Sequence, residues 1–215
     1  MVIMANKERI LTTAEVKRKE IFEEKVRELA KQGYERKDLT VSVVQANVMA
    51  IVMMLPAVIL FSWIYFMINN QNISLAWDLK TSIISLTLLV VLTVVHEGIH
   101  GIVWGIFAEE HFRSIEFGVI WKMLTPYCTY KAELKKKQYV LGAIMPTIIV
   151  GIFPGIIAII FSNSLLFLIA LIMIIGGGGD AFIVLKLLLH KENGKDIIYI
   201  DHPYECGLVA FEGMT

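Results

Sequence analysis

Four apolar stretches, 43–68, 81–107, 139–161 and 164–189, limit what this chain can fold into more than any other feature. Each exceeds the roughly 20 residues that a helix needs to cross the hydrocarbon core of a bilayer. With 56% hydrophobic residues gathered into such blocks and a mean hydropathy of +0.66, the sequence predicts an all-α membrane protein of about four transmembrane helices. Of the 20 lysines and arginines, only Lys80 falls in the first or third connection. The positive-inside rule then puts both termini and the central connection in the cytoplasm, with the spans in the cell membrane. Formal net charge is zero, which gives no footprint for nucleic acid. Two cysteines, Cys128 and Cys206, are too few for a disulfide framework, and cytoplasmic placement predicts free thiols.

The second stretch carries His96-Glu97-Gly98-Ile99-His100. On a helix of 3.6 residues per turn, His96 and His100 lie one above the other and can reach a single ion, with Glu97 beside them. Three ionisable groups within five residues of a membrane span are expensive unless something compensates them, and a metal does. Neutral imidazoles hold a zinc ion, and a glutamate next to it can take a proton from the attacking water and later deliver it to the leaving amine.

A catalytic zinc uses three protein ligands, so a third must come from elsewhere. Asp180 is the leading candidate. It follows four consecutive glycines, 176–179, which predict unwound backbone of a kind tolerated at membrane depth only inside protein or beside a wet cavity. Counted from the outer ends of their spans, His96 and Asp180 both lie about 22 to 24 Å deep. Glu109, Glu110 and His111 fall just past the histidine helix, and His190, His202 and Glu205 fall at or beyond the membrane surface, so these are weaker candidates.

The H-E-G-I-H motif on the second span, Gly142-Ala-Ile-Met-Pro146 on the third and an aspartate beside glycines on the fourth together resemble intramembrane metalloproteases of the site-two-protease type. More closely, the chain is similar to the bacterial putative zincin peptidases, formerly a domain of unknown function. The resemblance covers about 43–207 and implies a zinc peptidase. In site-two proteases the third ligand is an aspartate followed by glycine, a role that carries to Asp180. Here the glycines precede the aspartate and Ala181 follows it.

Other expectations concern the surroundings. Thr12 to Glu15 spells a capping box, which predicts an N-terminal amphipathic helix to about Lys31, stopped by Gly33, with Phe22, Val26 and Leu29 on one face. Alternation at Ile115, Phe117, Val119 and Trp121, with a turn near Thr125-Pro126, predicts a small cytoplasmic-side β-hairpin that either offers an edge to an extended substrate or only covers the site. Cys128 in that hairpin is close enough to the metal to hold it latent, or is incidental. Lys135 to Lys137 are expected at lipid headgroups. Gly101 and Gly105 are expected to admit a neighbouring span, and Pro146 and Pro154 to kink the third. Beyond 190 the tail reads as a short strand and turn without assigned chemistry.

These readings divide the chain into an N-terminal segment (1–42), a four-span core (43–189) and a tail (190–215). They describe a zinc endopeptidase with His96, His100 and Asp180 as ligands and Glu97 as general base and acid, embedded in the bilayer and acting on a membrane protein or peptide. The alternative is a non-catalytic metal-binding membrane protein serving as chaperone or regulator. A glutamate between the histidines favours the enzyme, since a structural zinc site needs no base.

Overall fold

A computed structural model describes residues 12–69, 78–108, 110–120, 125–131, 133–192 and 196–213. Glu109 and Trp121, named above, lie outside the described residues. Helix α1 spans Thr13–Lys31. Its capping box is formed: Glu15 N donates to Thr12 Oγ1 at 3.3 Å and Thr12 N donates to Glu15 Oε2 at 2.8 Å, satisfying two of the backbone donors a helix start leaves open. Gly33 ends the helix region with φ +86°, a left-handed conformation that suits glycine.

Four helical spans follow, Val44–Ile68, Leu79–Phe107, Lys136–Ile160 and Ser164–Leu189, each long and apolar enough to cross a membrane. Large apolar side chains such as Trp63, Ile84, Ile106 and Phe161 are exposed on the outside of the bundle, which suits a surface solvated by lipid. The first span is helix α2 (Val43–Ile68) and the second is α3 (Leu79–Phe107). The third is not one regular helix. Helix α4 (Lys136–Pro146) leads into a π-helical segment, Thr147–Ile152, before α5 (Phe153–Ile160). Pro146 and Pro154 bracket that segment; each lacks an N–H and crowds the carbonyl four residues back, so the expected kinks are taken up by a widened turn.

The fourth span corrects an expectation. Helix α6 (Ser164–Gly176) and α7 (Gly178–Leu189) are separated only at Gly177, and the ladder is kept by Gly177 N to Met173 O (3.2 Å) and Ala181 N to Gly177 O (3.1 Å). The glycines do not unwind the span. Two of them permit close approach instead: a Cβ on Gly178 would lie 2.3 Å from the Ala50 carbonyl oxygen of α2, and one on Gly177 would lie against Thr147 Oγ1. A second correction concerns Gly101 and Gly105, whose nearest neighbours come from the segment after α3 and not from another span. A Cβ on Gly101 would meet the Phe117 ring at 2.4 Å, and one on Gly105 would meet Phe112 at 2.7 Å, so the pair admits the segment that follows α3.

That segment is a 3-10 turn (His111–Ser114) and an antiparallel hairpin, β2 (Ile115–Ile120) with β3 (Thr125–Tyr130), in register Phe117 to Cys128. Beyond α7 the tail does more than expected. Strands β4 (Asp196–Asp201) and β5 (Leu208–Gly213) join β1 (Tyr34–Asp38) in an antiparallel sheet of order β1-β5-β4. Strand β5 is buried throughout. Leu208 and Ala210 face a core shared with Trp104, Tyr130, Tyr139 and Leu187, whereas Val209 and Phe211 face Phe22 and Leu29 of α1. The period of two therefore makes this sheet a layer between α1 and one end of the bundle. Burying each such side chain contributes about 1.5–3 kcal/mol.

Candidate metal centre

Helix α3 brings the two histidines to one face, both nearly fully buried. Their rings meet edge to face with centroids 4.9 Å apart. Asp180, in the first turn of α7, stands opposite: its Oδ2 is 3.2 Å from His96 Nε2 and 3.4 Å from His100 Nε2. Ligand atoms of the three residues all lie within 4.8 Å of one another. Backbone hydrogen bonds carried across Gly177 join α6 to α7 and so tie Asp180 to the helical span.

His100 Nδ1 donates to the Gly142 carbonyl oxygen at 2.9 Å, which leaves its Nε2 facing Asp180. The buried Nδ1 of His96 has no hydrogen-bond partner among the described residues. With Nε2 of both rings unprotonated, two lone pairs and a carboxylate oxygen would converge on a space that suits a cation. Two imidazole nitrogens and one carboxylate oxygen are a donor set that suits zinc, so the residues fit the ion.

A surrounding shell holds His100 in place. Trp104 stacks on its ring (4.8 Å between centroids, 17° between planes) and donates from Nε1 to the Tyr139 carbonyl at 3.2 Å. This contact requires Gly142, because a Cβ there would lie 2.0 Å from Trp104 Nε1. The same glycine thus lets α4 approach and supplies the carbonyl that orients His100.

Glu97, next to the ligand face, reaches the hairpin, where its carboxylate accepts the backbone N–H of Cys128. Phe117 opposite Cys128 is therefore a pair whose backbone groups face outward, as is Ile115 opposite Tyr130, whose N–H donates to Asp201 Oδ2 at 3.3 Å. Strand β3 lies closest to the site and spends its outward donors on Glu97 and Asp201. Burial pushes the Cys128 thiol well above its ordinary value, which keeps it neutral in the metal-free protein.

No motif or spacing singles out Asp201, yet the fold places it beside the site. Its carboxylate accepts from Thr129 Oγ1 (3.1 Å) and Tyr130 N (3.3 Å) on β3 and from Tyr139 Oη (3.2 Å) on α4. It ties the end sheet to both the strand that holds Glu97 and the helix that orients His100. Burial raises its pKa to about 7 against the lowering effect of the three donors. A cavity of about 210 Å³ reaches both Asp180 and Asp201.

The weaker candidates go elsewhere. His190 pairs with Glu212 at 2.8 Å, His111 Nδ1 is 3.3 Å from the Gly105 carbonyl, and His202 Nδ1 accepts from Glu205 N at 3.0 Å. Neither Glu110 nor Glu205 joins the cluster, and both are exposed. Arg18 of α1 fastens the outer face of the hairpin through Glu116 (2.8 Å) and Tyr127 Oη (2.5 Å).

Four apolar, membrane-length helices suggest a membrane protein, and its His96, His100 and Asp180 form a group that could hold a metal ion beside a glutamate. Residues 89–195, from within α3 to just before β4, match the family model described as putative zincin peptidase. No curated protein and no solved structure matches the chain.

Proposed function

We propose that the chain is a zinc-dependent endopeptidase of the H-E-x-x-H type that hydrolyses a peptide bond in a membrane or membrane-proximal protein. The observation that carries this reading is the convergence of His96 Nε2 and His100 Nε2 on Asp180 Oδ2 with Glu97 on the adjoining turn. His96, His100 and Asp180 would hold zinc, which supplies Lewis acidity toward the scissile carbonyl and acidifies water. Glu97 takes the proton of the attacking water on its carboxylate and passes it to the amine that leaves. The Cys128 N–H keeps that carboxylate turned toward the hairpin side, where a groove of about 420 Å³ opens between Val94, Glu97 and Gly98 on α3 and Phe117, Val119 and Pro126 on the hairpin. A peptide bond in a helix is shielded, so substrate must be extended to react, and the outer edge of β2 has outward donors at Phe117 and Val119 to hold such a segment. The lysine and arginine distribution supports cleavage on the cytoplasmic side of the cell membrane, with both termini cytoplasmic.

The test is metal analysis of the purified protein together with cleavage of membrane-derived peptides. Wild type should carry about one zinc per chain and cleave, and Glu97→Gln should keep the zinc and lose at least about 100-fold in turnover. Glu97→Gln with near-normal activity overturns the mechanism, and zinc without cleavage returns the reading to a metal-binding regulator.

A further inference from the structure

The three glycines of α3 are not alike. A side chain at Gly101 or Gly105 collides with an aromatic ring, which explains both residues. A Cβ on Gly98 meets no described atom within 4 Å, and its backbone is not in the left-handed region. Packing therefore gives no reason for a residue that costs a helix interior about 1 kcal/mol relative to alanine. Yet Gly98 directly follows Glu97 and lines the same groove. Val94, Phe117, Val119 and Pro126 give the groove a mostly apolar wall, completed by Gly118 and Tyr127.

We infer that the groove floored by Gly98 is the subsite for a large apolar side chain of the substrate, next to the scissile bond, and that Gly98 sets the size of residue accepted. This rests on the peptidase reading and names its substrate class: an extended peptide segment with a bulky apolar residue beside the cleaved bond. The groove shares Glu97 with the proposed site, so a segment lying along this groove beside the general base would lay a side chain against Gly98. Besides Glu97, which is used in the chemistry, the polar wall group is Tyr127, whose hydroxyl is already held by Arg18. A helix face with a side chain at this position would close the groove from below.

The experiment uses the full-length protein in detergent with zinc bound, and a pair of peptides that differ only in phenylalanine or alanine beside the mapped cleavage point. Gly98→Ala adds a Cβ that meets no described atom within 4 Å, and Gly98→Val and Gly98→Leu extend the side chain further in steps. The preference for the phenylalanine peptide, read as the ratio of kcat/KM values, should fall with each step, by about 10- to 100-fold at leucine. Zinc content and the absorption spectrum of the cobalt-substituted protein should stay as in wild type, which separates a filled groove from a damaged centre. The same ratio is read as peptide affinity for Glu97→Gln and for the Glu97→Gln, Gly98→Leu double variant, so selectivity is measured even without turnover. An unchanged ratio in both kcat/KM and affinity overturns the subsite while leaving the peptidase reading intact. Absence of cleavage in wild type, with a ratio of affinities that still depends on residue 98, overturns the peptidase reading and keeps the groove as a binding site for apolar side chains.

Discussion

Asp201→Asn isolates the brace between the end sheet and the metal centre. In wild type, burial holds the carboxyl near pKa 7, against an ordinary value of 3.8. An acid whose pKa is raised on folding keeps its proton more readily in the native state, so the native protein binds more protons than the unfolded chain between those values. Stability from this group is therefore greatest at low pH, falls as pH rises from about 4 to about 7, and levels off above. The whole fall is about 4 kcal/mol, and the part between pH 5 and pH 7 is about 2–3 kcal/mol. Asparagine does not titrate, yet it keeps an acceptor oxygen for the donors of Thr129 and Tyr130. Thermal unfolding of the metal-free protein should give a pH profile steeper in wild type than in Asp201→Asn, the difference in Tm between them changing by roughly 5–10 °C from pH 5 to pH 7. Comparing the two proteins cancels the many other groups that titrate in this range. Parallel profiles would refute the assignment of a buried, raised carboxyl at Asp201. Asp201→Ala, which leaves three donors without their acceptor, should lose about 2–5 kcal/mol at pH 7.

Three further outcomes bear on the site. Asp180→Ala should lower zinc occupancy about as much as His100→Ala, while Asp196→Ala, whose carboxylate bonds only the exposed Tyr34 hydroxyl among its described partners, should not; full occupancy without Asp180 moves the third ligand elsewhere. Gly142→Ala should displace Trp104 and weaken zinc binding about 10- to 100-fold, measured by competition with a chelator, because the carbonyl that orients His100 moves with it. Val119→Pro removes a donor that faces away from β3 and should impair cleavage with zinc retained, whereas Gly118→Pro removes a donor paired with Tyr127 and should also destabilise the hairpin; unchanged turnover in Val119→Pro makes the hairpin a cover only.

Much of this protein is local and was legible in the chain. Apolar runs of membrane length, the Thr12 capping box and the alternation of 115–119 each depend on residues within one turn or one strand of each other, where spacing translates directly into geometry. The relation of His96 to His100 is of the same kind, set by 3.6 residues per turn. Misreadings came where a residue's purpose depends on what lies across from it. Four glycines in a row predict unwinding from their own propensity, but the α2 backbone at Ala50 pressing on Gly178 and Thr147 on Gly177 turn them into a close-packed helix. Gly101 and Gly105 have the spacing of a span-to-span contact and instead admit Phe117 and Phe112. Only the tertiary structure could bring Asp180 to two histidines some eighty residues earlier, seat Gly142 under Trp104, and pair β5 with a strand from the other end of the chain. Asp201 is the clearest case. Its sequence surroundings are those of a solvated strand end, and its burial against Thr129, Tyr130 and Tyr139 exists only because sheet, hairpin and α4 meet there. Spacing along a chain determines which face a side chain takes; which charge, ring or backbone stands opposite is decided by packing of distant elements, and that is where the chemistry of this site is set.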